Sequence, residues 1–280
     1  MLKKKKYYFS GINKTEFNQR HKLLIIDNFL DENLYDDLIK NFPNFSALEK
    51  INKNNFTLNS GNEDTNENQL FNEKMNLNPI WKDFINDLNS NDFFNELKRI
   101  YKLKFLYFDK EKNNFKRYFR FKFLTRTFNL FNKVHFEFTF NCKSAGDGKP
   151  HTDVPKKIIS IVLFMPDINW VNEFGGSVLI LKPKKLSNEN NWDNRSIDFD
   201  ECYILKKIDY IKNRLYAFKK SKNSYHAITN VKVNNDSFRR VFMINLCYSN
   251  QEDISFRNFS FINKIKNFFL KKNQSLNSNE

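Results

Sequence analysis

The stretch KPHTDVPKKIISIVLFMPD sets His151 and Asp153 two residues apart, immediately before an apolar run. In an extended chain, side chains two positions apart project to the same side, so the imidazole and the carboxylate converge. Such a pair is either a chance His-x-Asp in a charged loop or part of a metal site whose third donor must come from a distant segment. The chain has four histidines, His21, His135, His151 and His226. His226 opens the apolar stretch YHAI after a short polar loop and is the candidate third ligand. Two imidazoles and one carboxylate on one face of a metal leave three positions open, the donor set of non-haem Fe(II) chemistry. His21 reads as a surface residue. His135, in VHFEFTF, reads as structural or substrate-facing, with Glu137 beside it on the outward face as its pairing partner.

Open positions on such an ion need an oxidisable cosubstrate and O2. A dicarboxylic 2-oxo acid chelates through its keto and carboxylate oxygens, leaving a far carboxylate for a cation to hold. Arginine suits that task because its planar fork donates two parallel hydrogen bonds. The segment RRVFMINLCY offers two, and alternation puts Arg239, Val241, Met243 and Asn245 on one face and Arg240, Phe242 and Ile244 on the other. Spacing alone leaves both arginines as candidates.

These groups must be positioned by strands. From about residue 115 the apolar period is two, in YFRFKFL, VHFEFTF, KIISIVLFM, GSVLILK, CYILKKI, RLYAFK, YHAI and RRVFMINLCY. Eight strands with no helical pattern between them predict an antiparallel double-sheet jelly roll rather than a parallel α/β sheet. Before them, the first hundred residues read as helices and loops. Asp31, Asn78 followed by Pro79, and Ser90 are helix caps ahead of apolar stripes that form core. Three regions are expected: a helical and loop region over 1–114 packed on the core, the jelly roll over 115–250, and a basic helix and tail over 251–280. The fold class is mainly β with flanking helices. The polar segment at about 51–78 and the insertion at 186–201 read as loops, and one of them is expected to cover the metal. Arg120 and Lys122 read as a solvated face or the lining of a groove for an acidic substrate.

Composition narrows the classes. Phe alone accounts for 32 of 280 residues, so the core is Phe-rich. The formal charge of +15 comes with heavy use of Lys, Asn, Ile and Phe, a codon-bias signature, and no nucleic-acid-binding motif accompanies it. Cys142, Cys202 and Cys247 lie far apart with no CxxC, which argues against a disulfide scaffold or zinc cluster and suits a reducing compartment. Cys142 reads as a core thiol. The start MLKKKKYYFSGINK lacks the apolar core of a signal peptide, and no run of about 18 apolar residues exists to span a bilayer. A soluble cytoplasmic protein is expected. Two rival classes remain: a non-catalytic jelly-roll binding module, and a basic protein docking on nucleic acid or another anionic surface.

Four blocks in order resemble the Fe(II)- and 2-oxoglutarate-dependent dioxygenases, in their prolyl-4-hydroxylase-like branch. They are FEFTFNCKSAGDGKPHTDVPKKIISIVLFMPD, NEFGGSVLIL, NRLYAFKKSKNSYHAITNV and RRVFMINL. The resemblance covers most of residues 21–250, including the lead-in HKLLIIDNFLDENLYDDLIKNFP. It implies a double-stranded β-helix core, iron held by His151, Asp153 and His226, and 2-oxoglutarate gripped by Arg239, the first of the arginine pair. It further implies O2 consumption, release of succinate and CO2, hydroxylation of an amino-acid or peptidyl side chain or a small metabolite, and ascorbate as a candidate reductant. Gly175 and Gly176 are expected to let the chain pass close to the iron. Where many relatives carry Ser two residues after the Arg, this chain has Val241, and the loop from His226 to Arg239 is longer than in most.

Overall fold

The computed structural model describes residues 22–43, 49–52, 55–60, 66–104, 106–108, 132–189, 191–233 and 237–249. Local side-chain chemistry starts three of its helices. Asp31 accepts from the Asn33 N–H at 3.1 Å to open α1 (Glu32–Lys40). Asn78 accepts from Trp81 N–H at 3.3 Å ahead of α3 (Pro79–Leu88), and Ser90 accepts from Phe93 N–H at 3.2 Å ahead of α4 (Asn91–Ile100). Each cap satisfies a backbone donor that the first helical turn cannot, and contributes about 1 kcal/mol. A further helix, α2 (Asn66–Asn76), buries Phe71 and Met75.

Twelve strands among the described residues form two sheets. In chain order they are β1 (Leu23–Ile26), β2 (Glu49–Asn52), β3 (Asn55–Asn59), β4 (Leu106–Phe108), β5 (Asn132–Lys143), β6 (Ala145–His151), β7 (Lys157–Phe164), β8 (Val178–Pro183), β9 (Cys202–Ile208), β10 (Leu215–Lys219), β11 (His226–Lys232) and β12 (Arg239–Tyr248). The large sheet runs β1-β10-β7-β12-β5-β3-β2, with β4 pairing β5 in parallel, and the small sheet runs β6-β11-β8-β9. From β5 onward, successive strands alternate between the sheets except for the adjacent pair β8–β9 in the small sheet, and β5 to β12 form an eight-stranded jelly roll.

Alternation distributes the side chains into three cores. Phe136, Phe138 and Phe140 of β5 join Phe242 and Ile244 of β12 against the helices. There Trp81 meets Phe140 at 4.6 Å and Phe242 at 4.8 Å between ring centroids, while its indole N–H donates to Leu38 O at 3.0 Å. Burial of each such aromatic contributes about 2–3 kcal/mol. Between the sheets lie Val162, Phe164, Tyr216, Phe218, Val178, Ile180 and Val241. Behind the small sheet, Leu179, Leu181, Tyr225 and Ala227 form a third cluster.

Several expectations need correction. The first hundred residues are not only helices and loops, because β1, β2 and β3 extend the large sheet. Leu23–Ile26 is buried throughout, with Leu23 and Ile25 facing between the sheets and Leu24 and Ile26 facing the helices. A strand covered on both sides shows no alternation to read. The segment at 51–78 is no aperiodic loop: it completes the β2–β3 hairpin on β5 and then forms α2. Strand β6, AGDGKPH, is a core strand absent from the eight predicted ones, since glycine and charge mask its period. The strand YFRFKFL with Arg120 and Lys122, and the basic C-terminal helix, lie outside the described residues. All three cysteines are buried free thiols. No helix among the described residues is long and apolar enough to cross a membrane.

The insertion at 186–201 carries short 3-10 turns at Leu186–Glu189 and Phe199–Glu201. It folds over the back of the small sheet, not over the face that bears His226. Ile197 packs on the third cluster, and the Asn191 amide donates to the Tyr225 hydroxyl at 2.9 Å. Tyr225 points outward because its neighbour His226 points inward. Ile197 N–H to Pro150 O and Thr152 Oγ1 to Asn191 O, both 2.9 Å, moor the insertion to the chain on either side of His151.

Candidate metal centre

The three donors predicted from sequence come together. His226 lies directly opposite His151 in the β11–β6 ladder, and the two rings are 4.5 Å apart between centroids. Asp153 follows β6 and turns into the space between the sheets. Donor atoms of His151, Asp153 and His226 all lie within 4.8 Å of one another, the one such cluster among the described residues. Donors bonded to one ion at about 2.0–2.2 Å lie within about 4.4 Å of each other, so small side-chain rotations close the trio on an ion.

Each imidazole is oriented through its other nitrogen. His151 Nδ1 lies 2.7 Å from Lys149 O, and His226 Nδ1 lies 3.2 Å from Ser224 O. A carbonyl accepts only, so Nδ1 carries the proton and Nε2 keeps its lone pair toward the shared space. Burial, with the neighbouring His151, pushes the His226 pKa down to about 4, which keeps the ring neutral at physiological pH. Burial pushes the Asp153 carboxyl up, but the attraction of the Lys157 ammonium and hydrogen bonds from Lys157 and Ser160 outweigh it. The group is held well below the usual carboxylate range and is ionised. Two neutral imidazoles and one carboxylate are the donors a divalent cation takes.

The two arginines separate cleanly. Arg240 faces the helix side, paired with Asp167 at 3.1 Å. Arg239 is 2% exposed and lies between the sheets, its Nε donating to Gly176 O at 2.7 Å. Its guanidinium sits 5.0 Å from the Tyr210 ring centroid and 5.6 Å from that of Phe164. No carboxylate among the described residues pairs with it. A fully buried guanidinium without an anion is costly unless a ligand supplies one. Of the glycine pair, Gly176 makes room for this arginine and Gly175 for the backbone of β11. A Cβ on Gly176 would stand 2.8 Å from Arg239 Cδ, and one on Gly175 would stand 2.0 Å from Asn230 O, with both residues at positive φ.

Sequence reasoning missed other residues. Ser160 is the single hydroxyl in KIISIVLF, and its Oγ donates to Asp153 Oδ2 at 2.5 Å. Lys157 binds the other oxygen at 2.8 Å. A lone polar residue on an otherwise apolar inner face was the available signal for Ser160. Tyr216 lies between the sheets, and burial there pushes its hydroxyl pKa up. Glu137 does not face outward: it is 3% exposed, because β5 is covered by helices on one side and faces the small sheet on the other. It does pair with His135 at 3.2 Å, and also with Lys156 at 2.8 Å.

That buried carboxylate makes stability depend on pH. Burial pushes Glu137 up, but the hydrogen bonds from His135 and Lys156 prevail and hold its pKa at about 2, against an ordinary value of 4.5. The folded-state value is depressed, so the stabilisation is complete above pH 4.5 and is lost as pH falls toward 2. Glu137→Gln is expected to cost about 3 kcal/mol at pH 7, with the deficit shrinking below pH 4.5. Denaturant unfolding of both proteins across pH 3–7 checks this, and a deficit independent of pH overturns it.

No protein-family model and no curated protein sequence matches the chain. Solved structures do resemble it in fold. A prolyl 4-hydroxylase structure from Phytophthora capsici is 12% identical with a TM-score of 0.46, over 83% of this chain and 65% of that one. The prolyl hydroxylase of Trichoplax adhaerens, solved with a peptide of the hypoxia inducible factor oxygen degradation domain, is 12% identical with a TM-score of 0.43, over 86% of this chain and 89% of that one. HygX from Streptomyces hygroscopicus, with nickel and 2-oxoglutarate bound, is 6% identical with a TM-score of 0.47, over 82% and 84%. The chain therefore spans just under two thirds of the Phytophthora chain. At such scores the jelly roll is carried by this chain's own strand order.

Proposed function

We propose that this protein is an Fe(II)- and 2-oxoglutarate-dependent hydroxylase of the prolyl-4-hydroxylase-like branch, acting in the cytoplasm on a small molecule or a peptidyl side chain. The observation that carries the reading is the conjunction of the His151, Asp153 and His226 cluster with the anion-less buried guanidinium of Arg239 in one inter-sheet space. When bound, Fe(II) with 2-oxoglutarate and O2 supplies the oxidation, converting the oxo acid to succinate and CO2 and a substrate C–H to C–OH. The donors fit the ion, since both imidazoles present a lone pair and the carboxylate is ionised.

In this reading His151 and His226 hold the metal through Nε2, each fixed by a backbone carbonyl behind it. Arg239 takes the far carboxylate of 2-oxoglutarate, its fork braced by Gly176 O and the Tyr210 and Phe164 rings. Apolar walls from Val162, Phe218 and Ile180 exclude water and strengthen these charge contacts. Val241, two residues on from Arg239, offers no hydroxyl to the cosubstrate, so the arginine carries more of that binding. The presence of Asp153 favours hydroxylation over halogenation, which needs that ligand's place for a halide. Ascorbate is the proposed reductant for restoring Fe(II).

Anaerobic addition of Fe(II) and then 2-oxoglutarate to the purified protein is expected to raise the weak visible charge-transfer absorption of a metal-chelated 2-oxo acid. A binding module without this chemistry, or a protein that docks on nucleic acid, gives no such band. Its absence at saturating concentrations of both would overturn the proposal. Screening peptides and metabolites for a mass gain of one oxygen then addresses the substrate.

A further inference from the structure

We propose that Lys157 and Ser160 form an outer clamp on Asp153 that fixes how its carboxylate meets the metal and biases the site toward a divalent over a trivalent ion. The inference rests on the metal reading of His151, Asp153 and His226.

The clamp is built by the local sequence DVPKK. Lys157 N–H donates to Val154 O at 3.2 Å, closing a turn with Pro155 at its second position, where a fixed φ is favoured. That turn brings the residue four positions on back over Asp153. Lys157 Nζ binds Oδ1 at 2.8 Å, and Ser160 Oγ, from within β7, binds Oδ2 at 2.5 Å. The ion pair is shielded from solvent, with side-chain exposures of 19% for Lys157 and 8% for Asp153. Its neighbour Lys156 turns instead to Glu137 at 2.8 Å, so each of the two consecutive lysines has its own carboxylate.

Two consequences follow from the chemistry of the contacts. Each carboxylate oxygen has a second lone pair, so the clamp permits ligation through one oxygen while holding the plane of the group against rotation into a two-oxygen grip. The ammonium also cancels the single negative charge of the donor set. Its repulsion of the ion scales with the ion's charge and acts in a poorly hydrated space, so raising the ion from +2 to +3 is disfavoured more than in a site lacking the lysine. Lys157 is thus a positioning residue acting through Asp153, and it resists loss of one electron from resting Fe(II) to O2, the reaction that would release superoxide and leave Fe(III).

The test uses the full chain with Lys157→Met, Lys157→Gln, Lys157→Arg and Ser160→Ala. Ni(II) affinity is measured by calorimetry, and the iron midpoint potential and the rate of air oxidation of Fe(II)-loaded protein are measured without 2-oxoglutarate. With the repelling ammonium gone, Lys157→Met and Lys157→Gln are expected to bind Ni(II) roughly tenfold more tightly, to lower the potential, and to oxidise in air roughly tenfold faster. Lys157→Arg should restore the parent values, which a merely structural lysine would not require. Ser160→Ala should weaken Ni(II) binding several-fold, leaving the potential unchanged. Unchanged affinity and potential in Lys157→Gln, or weaker Ni(II) binding, overturns the clamp alone. Failure of the parent protein to bind one Ni(II) per chain overturns the metal reading and the clamp with it.

Discussion

His151→Ala or His226→Ala is expected to end 2-oxoglutarate turnover while leaving the fold intact. Removing one of three protein ligands forfeits several kcal/mol of charge stabilisation at the metal, equivalent to a loss of roughly 10³-fold or more in rate. Both imidazoles are only partly buried, and of the two only the His226 ring packs on the core, against Phe218 at 4.7 Å between centroids, so circular dichroism should barely move and unfolding midpoints should fall little for His151→Ala and somewhat more for His226→Ala. Asp153→Ala should also abolish turnover but cost stability too, because it removes the carboxylate that the Lys157 ammonium binds in a shielded site. Removing one partner of a buried pair costs about 3–5 kcal/mol. Succinate release under saturating Fe(II) measures the first effect and denaturant unfolding the second. Parent-level succinate release from His151→Ala would remove the ion from this trio.

Arg239→Leu is expected to raise the 2-oxoglutarate concentration needed for half-saturation by roughly 10²- to 10³-fold, as loss of one partner in a buried charge pair costs about 2–5 kcal/mol. Ni(II) binding should persist, since the three donors do not depend on the guanidinium. Arg239→Lys should recover only part of the loss, because an ammonium lacks the planar fork that grips a carboxylate through two bonds. Monocarboxylic 2-oxo acids, which lack the far carboxylate, should bind the parent and Arg239→Leu proteins equally poorly. Arg240→Leu is the control: its side chain pairs with Asp167 on the helix side of the sheet. A large loss in Arg240→Leu with none in Arg239→Leu would reverse the assignment. Steady-state titration of 2-oxoglutarate with each protein reads all four.

What the sequence made legible follows the range of the interactions. The caps Asp31, Asn78 and Ser90 act within three residues, so composition at those positions suffices to place three helix starts. Alternation in β5 and β12 divides the side chains correctly between two faces. It does not say which face is solvated, and Glu137 was misread because neither face of β5 is. The same limit left Arg239 and Arg240 unresolved until the sheets' packing gave one face to the helices. Strand β6 escaped notice because its glycines and charges carry no period, although it bears His151. The His-x-Asp pair and the distant histidine were readable as residue types. Their meeting depends on the His226–His151 register between strands 75 positions apart, and the Lys157 and Ser160 contacts depend on a turn that spacing does not encode.

The place of β12 bears on how the chain reaches this structure. It is the last strand among the described residues, yet it lies in the middle of the large sheet, zipped to β5 along one side and to β7 along the other. During synthesis, β5 and β7 emerge well before β12 and must wait with bare edges for residues 239–248. Strand β1 waits longer still, since its partner β10 lies at residues 215–219. Such long-range closure makes folding slow and exposes unpaired strand edges to other chains in the interim. Arg239 opens that same final strand, so a polypeptide halted just before it lacks both the sheet's centre and the buried guanidinium. Maturation of the binding space is thereby tied to completion of the barrel, and a partly made chain has no assembled site with which to start an oxidation.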